Sequence, residues 1–154
     1  VMILQNTADL EDKTRKDLTF DIKGSTVNRK TEFNPANPLH RKRVLKDVNF
    51  LKLDSEKKLI RLGFEVFQDI TATLQSDSEF LMNMGIMDYS LLLVTEKVAP
   101  DVLSQLLTSR NQMSLSDLRN RNDSNPNYNL PKKRNAFYSV DYSEIYHVAV
   151  IDFL

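Results

Sequence analysis

The chain has 154 residues, with 21 basic and 21 acidic side chains and a formal net charge of 0. This length suits one domain or part of a larger one, and an apolar content of 41% is enough for a sizeable core. The neutral balance argues against a general nucleic-acid binder, and the lack of cysteine excludes disulfides and thiolate metal sites. No apolar run approaches the roughly 18 residues of a membrane span.

Both ends of the sequence are apolar. The first four residues are Val-Met-Ile-Leu and the last four are Ile-Asp-Phe-Leu, whereas free chain ends are usually polar and frayed. We therefore expect a piece of a longer domain, cut within a strand at each end. The first of these strands is predicted at 1–4, followed by a charged hairpin loop at 6–17.

The next elements are predicted from periodicity and turn residues. Apolar residues at 18, 20 and 22 alternate as in a half-buried strand, which Gly24 and Ser25 end. Residues 28–47 contain Pro35, Pro38 and a basic cluster at 40–43, and they predict a solvated loop.

A long amphipathic helix is predicted from 56 to about 75. Asp54 and Ser55 offer an N-cap, and two rows of apolar residues predict burial over a wide arc. Ser76 and Asp77 would then cap a short second helix at 78–83.

Together with the elements in the second half of the sequence, the chain predicts an α+β fold, an antiparallel sheet with packed helices. Residues 89–95 and 145–154 have the composition of buried strands. A helix is predicted at 100–109, within an asparagine-rich segment, 97–141, that otherwise predicts a disordered insertion.

Three segments each place an aspartate against apolar strand residues: Asp21, Asp88 and Asp152. A carboxylate in such a place is costly unless it is paired, hydrogen-bonded or bound to a cation. Two of them at neighbouring strand ends could hold Mg²⁺, which prefers oxygen ligands.

A phosphate could bind at Lys23, Gly24 and Ser25, which together offer a positive charge, a flexible backbone and a hydroxyl. Structural roles stay open for all of these residues, since strand-end aspartates often cap turns and Lys-Gly-Ser is a common turn. His147, Tyr89 and Tyr146 are interpreted as packing residues. By pattern alone, the chain is an α+β domain with a possible phosphate site.

Four runs of residues resemble, in the same order, motifs of the catalytic domain of phosphatidylinositol phosphate kinases. Residues 21–25 (Asp-Ile-Lys-Gly-Ser) with Arg29 match the family's Asp-Leu-Lys-Gly-Ser and its downstream arginine. Residues 46–51 (Lys-Asp-Val-Asn-Phe-Leu) match the family's Lys-Asp-x-(Asp/Asn)-Phe-Leu.

The other two motifs lie further along the chain. Residues 77–81 and 86–92 match an Asp-x-x-Phe-Leu run followed by Ile-Met-Asp-Tyr-Ser-Leu-Leu. Residues 146–152 match Tyr-His-x-Gly-Ile-Ile-Asp, with Ala149 where glycine is usual. Each motif alone is moderate evidence, but the four together are specific, and the resemblance covers 1–96 and 144–154.

The resemblance implies a kinase-like domain that uses ATP and Mg²⁺, and it implies a role for each matching residue. Asp88 would orient or deprotonate the attacking inositol hydroxyl, and Asp152 would bind the magnesium ion, as in protein kinases. Lys23 would reach the transferring phosphate, alongside Gly24 and Ser25. An ion pair between Asp21 and Arg29 would shape that loop.

The activity implied is phosphorylation of phosphatidylinositol 4-phosphate to the 4,5-bisphosphate. The resemblance leaves open the 5-phosphate 4-kinase and 3-phosphate 5-kinase branches, and a catalytically inactive lipid or nucleotide sensor on the same fold. Because the family's glycine-rich loop and nucleotide lysine have no match here, we expect the isolated fragment to be inactive. The expected setting is cytoplasmic, peripheral at an anionic membrane such as the plasma membrane, with a phosphoinositide substrate and no nucleic acid. The oligomeric state is not predicted.

Overall fold

A computed structural model describes residues 16–57, 59–112 and 136–152. Within these residues the chain forms five strands and three helices, and the basic cluster at 40–43 includes a short 3-10 turn. The elements are β1 Lys16–Ile22, β2 Val44–Lys46, α1 Asp47–Lys57, α2 Phe64–Asn83, β3 Tyr89–Lys97, α3 Pro100–Gln112, β4 Ala136–Tyr138 and β5 Glu144–Asp152.

The strands form one sheet in the order β2-β1-β3-β5-β4. The pairing of β1 with β2 is parallel and every other pairing is antiparallel. The predicted α+β fold with a mainly antiparallel sheet is therefore confirmed.

The core lies where α1 packs against the sheet. Phe20 pairs with Leu45 on one side and Leu93 on the other, so three adjacent strands present apolar side chains to the same face. Leu53 completes this cluster from α1, and the ring of Phe50 meets Phe20 edge-on at 5.4 Å. Burial of this face fixes the register of the central strands.

The predicted helix from 56 to about 75 is confirmed only over 64–75, because α1 ends at Lys57 and α2 begins at Phe64. Between the two helices, the carbonyls of residues 59 and 61 bond to distant groups. The carbonyl of Leu59 accepts from the Tyr146 hydroxyl at 3.1 Å, and the carbonyl of Arg61 accepts from the amide of Val140 at 2.9 Å. Leu59 is thereby buried in the core cluster.

Other boundaries also differ from the sequence-based expectation. The predicted separate helix at 78–83 is the end of α2, which continues through Ser76 and Asp77. The predicted loop at 28–47 ends early, because β2 and the start of α1 fall within it. Strand β4 at Ala136–Tyr138 lies in the segment predicted to be disordered.

Several predictions are confirmed or lie outside the described residues. The strands predicted at 18–22, 89–95 and 145–154 correspond to β1, β3 and β5, and the helix at 100–109 corresponds to α3. The predicted strand at 1–4, most of the 6–17 loop and residues 113–135 lie outside the described ranges. None of the described helices is both long enough and apolar enough to cross a bilayer.

Candidate active site

Three predicted site residues, Lys23, Asp88 and Asp152, lie at one end of the sheet. In the central antiparallel pairs, Ile22 lies opposite Leu91 and Tyr89 lies opposite Asp152. Because β3 runs against both neighbours, the end of β1, the start of β3 and the end of β5 meet at the same edge. Asp88 and Asp152 are therefore at neighbouring strand ends, as the sequence predicted.

Lys23 and Asp88 form the centre of the site. The Lys23 ammonium donates to the backbone carbonyl of Asp88 at 3.0 Å and also contacts the Asp88 carboxylate. The Lys23 side chain is 22% exposed, whereas that of Asp88 is 72% exposed. The hydrogen bond and positive charge of Lys23 lower the pKa of Asp88, so the carboxylate is ionised at neutral pH.

The end of α2 determines where Asp88 points. The last turn closes through hydrogen bonds from the amide of Gly85 to Met82 and from Ile86 to Leu81. Gly85 and Asp88 both have left-handed backbones, with φ of 69° each. A non-glycine residue in that region is uncommon, and such residues cluster at functional sites. The turn leaves the Asp88 carboxylate in solvent, beside Lys23.

The loop that carries Lys23 is held by the first residue of α1. The Asp47 carboxylate accepts hydrogen bonds from the backbone amides of Lys23 at 3.0 Å, Gly24 at 2.8 Å and Ser25 at 3.3 Å. Gly24 has φ of 71°, which bends the backbone so that successive amides converge on one oxygen. Asp47 is 4% exposed.

Arg29 bridges two carboxylates behind this loop. Its guanidinium contacts Asp21 at 3.1 Å and Asp47 at 2.8 Å. The predicted ion pair between Asp21 and Arg29 is therefore present, and Asp47 is a second partner. Burial alone would raise the pKa of Asp47, but hydrogen bonds from Arg29 and the loop amides outweigh it and leave that pKa below its ordinary value.

Asp47 is the site residue that the sequence analysis missed. It appeared only as one letter of the 46–51 motif, without a role. An acidic residue at the start of an amphipathic segment is a recognisable signal of a helix N-terminus. Its partners, however, lie 18 to 24 positions earlier in the chain, and no local pattern identifies them.

The remaining motif residues lie further from this centre. Ser25 is exposed, and its hydroxyl accepts from the amide of Val27 at 3.3 Å. His147 is buried and contacts Glu96 at 2.8 Å, which confirms its interpretation as a packed residue. Tyr146 is also buried, and its hydroxyl hydrogen-bonds to the backbone of residues 59 and 61, between α1 and α2.

The donor chemistry at this edge suits a magnesium ion. Mg²⁺ is commonly held by one or two carboxylates, completed by phosphate oxygens and water. Asp152 supplies a carboxylate at the end of β5, next to the strand that follows Asp88; its backbone position is described, but its side chain lies outside the described set. Among the described side chains no group of three potential ligands occurs. A metal ion here would therefore need further ligands, such as the oxygens of a phosphate-bearing substrate and water.

Residues 1–154 match the sequence model of the family described as Phosphatidylinositol-4-phosphate 5-Kinase. A relative in Arabidopsis thaliana, named phosphatidylinositol 4-phosphate 5-kinase 8, is 35% identical over 114 residues. That alignment covers 74% of this chain and 13% of the relative.

The family match extends over every residue that forms the site at this sheet edge. The resemblance of the four motifs, the approach of Lys23 to Asp88 and the family match agree with one another. We conclude that this chain belongs to the phosphatidylinositol phosphate kinase family.

Proposed function

We propose that the protein containing this chain phosphorylates phosphatidylinositol 4-phosphate on its 5-hydroxyl, with ATP as the phosphoryl donor. The observation that carries the proposal is the pairing of Lys23 with Asp88 at the sheet edge where β5 delivers Asp152. The name of the Arabidopsis relative supports the choice of lipid.

The site has several of the parts that phosphoryl transfer needs. This reaction depends mainly on positioning and on positive charge around the transferring group. Asp88 is ionised and exposed, so it can accept the proton of an inositol hydroxyl or orient that hydroxyl for attack. Lys23 lies against it and can shift its ammonium to the transferring phosphate.

Asp152 would hold Mg²⁺ beside these two residues. When bound, the ion would neutralise charge on the phosphate oxygens. The chain's own contribution is to place Asp152 directly opposite Tyr89, the residue that follows Asp88.

The surroundings of the site support contact with a membrane. Val27, on the Lys23 loop, is 76% exposed, and Met87, beside Asp88, is 82% exposed. Apolar side chains around a site that acts on a lipid headgroup can enter the bilayer interface. We propose a peripheral location at the cytoplasmic face of the plasma membrane.

The test is a radiolabelled ATP assay on the full-length protein. Three vesicle preparations are used, each containing a single species of monophosphorylated phosphatidylinositol. We expect the 4-phosphate to give the bisphosphate product, and the Asp88→Asn variant to give none, which controls for contaminating kinases. Preference for the 5-phosphate or 3-phosphate would move the protein to another branch of the family. Vesicle binding without phosphorylation of any lipid would identify a sensor instead.

A further inference from the structure

Asp47 holds the loop that carries Lys23 through that loop's backbone. One oxygen of its carboxylate accepts from three consecutive amides, of residues 23 to 25, and the other accepts from Arg29 at 2.8 Å. Backbone amides need hydrogen-bond acceptors, and Asp47 provides one for these three amides. The position of the Lys23 backbone is thus set by a side chain from another element.

The geometry of Lys23 depends on this attachment. Its amide is bonded to Asp47 at 3.0 Å, while its ammonium is bonded to Asp88. The lysine side chain therefore spans two anchors, one on α1 and the other at the start of β3. Loss of the first anchor would leave a flexible lysine on a loop that contains Gly24, free to leave Asp88.

Arg29 forms ion pairs with the acidic side chains behind the loop. It contacts the carboxylates of both Asp47 and Asp21, and all three side chains are nearly buried. Two acids around one guanidinium leave a net negative charge behind the loop, which favours the convergence of amide dipoles on Asp47.

We infer that Asp47 is a positioning residue for phosphoryl transfer, acting through the backbone of residues 23–25 to keep Lys23 at Asp88. This inference rests on the proposed kinase function. It assigns to the aspartate of the Lys-Asp-Val-Asn run a role in catalysis without contact with the substrate.

Asn49 provides a matched control on the same helix turn. It is 9% exposed, and its side chain also clamps a loop, accepting from the amide of Thr31 at 2.8 Å and donating to the carbonyl of Thr31 at 2.8 Å. Its partners do not include residues 23–25. Asn49→Ala should therefore loosen the fold near α1 without freeing Lys23.

The experiment compares Asp47→Asn with Asn49→Ala in the full-length protein. Asn keeps the shape of Asp, but its NH2 group must face either the loop amides or Arg29, so one of the two attachments is lost. Thermal unfolding checks that both variants are folded. The first readout is the rate at which an amine-reactive ester modifies Lys23, measured by mass spectrometry relative to Lys52, which is 73% exposed. We expect Asp47→Asn to raise this relative rate several-fold and Asn49→Ala to leave it unchanged.

The second readout is kinase activity on vesicles that contain phosphatidylinositol 4-phosphate. A misplacement of about 1 Å can cost on the order of 100-fold in rate, so Asp47→Asn should lower kcat strongly, with KM for ATP little changed. In a protein that already carries Lys23→Ala, adding Asp47→Asn should lower kcat by no more than about twofold.

The two readouts separate two kinds of failure. Equal Lys23 modification in both variants, or a loss of kcat that multiplies fully with Lys23→Ala, would overturn the positioning role. A wild-type protein that phosphorylates none of the lipids would instead overturn the proposed function, and the modification rates would still show whether Asp47 holds Lys23.

Discussion

Lys23 and Asp88 are 65 positions apart in the sequence, yet the ammonium of one contacts both the carbonyl and the carboxylate of the other. The contact exists because β1 ends where β3 begins in an antiparallel pair. With this arrangement, the Asp88 carboxylate can act on a hydroxyl while the Lys23 ammonium acts on a phosphate.

Lys23→Ala and Asp88→Asn should each lower kcat by at least about 100-fold, and the double variant should fall to a similar floor, since catalytic groups that act as a unit are not additive. Steady-state kinetics of the full-length protein measure this. Lys52→Ala, an exposed lysine on α1, serves as the control and should retain activity. Independent losses that multiply in the double variant would mean that the two residues serve different steps.

Asp152→Asn should abolish activity while the protein stays folded. The change keeps the size of the side chain but removes a charged metal ligand, and losses around a metal site typically reach 10- to 100-fold or more. Activity as a function of magnesium concentration, with circular dichroism for folding, measures both effects. Asp77→Asn, an exposed acid on α2, is the control. Wild-type magnesium dependence in Asp152→Asn would remove Asp152 from the metal site.

Gly24→Ala should destabilise the loop through its backbone alone. A Cβ at Gly24 meets no atom within 4 Å, but φ of 71° is strained for alanine, by roughly 1–2 kcal/mol. Gly63→Ala is a matched control, because Gly63 has φ of −65° and a Cβ there would lie 4.0 Å from Val140. Urea unfolding of the two variants gives the comparison. A larger loss of stability at Gly63 would contradict the assigned backbone geometry.

The turn before β5 should contribute stability that depends on acid pH. Burial would raise the pKa of Asp141, but hydrogen bonds from Ser139 and Ser143 and the charge of Arg61 lower it from 3.8 to about 2. Because the folded-state pKa lies below the unfolded value, the carboxylate stabilises the fold above pH 3.8, and this contribution is lost as the pH falls toward 2.

Asp141→Asn should therefore be less stable than wild type at neutral pH, with a difference that shrinks between pH 4 and pH 2. Denaturant midpoints at several pH values measure this difference. Asp101→Asn, at the exposed start of α3, corrects for the removal of one negative charge. A difference that is constant across this range would exclude ionisation of Asp141 as its source.

The strands around the candidate site, and most of the candidate residues, could be predicted from local patterns. Apolar β-rich runs located β3 and β5, and the motif resemblance identified Lys23, Asp88 and Asp152. These features are readable because strand composition is a local property and the motif letters lie next to one another. The start of α1 and the roles of its first residues were not found in this way.

Features that depend on distant partners could be seen only in the folded chain. The helical periodicity from 56 to 75 is real, but Tyr146 and Val140 take up the carbonyls of Leu59 and Arg61, and the helix is interrupted there. Asp47 likewise has its role only because β1 and β2 lie side by side and bring the Lys23 loop to the start of α1. A hydrogen bond between residues far apart in sequence leaves no periodic trace, so only the folded chain shows it.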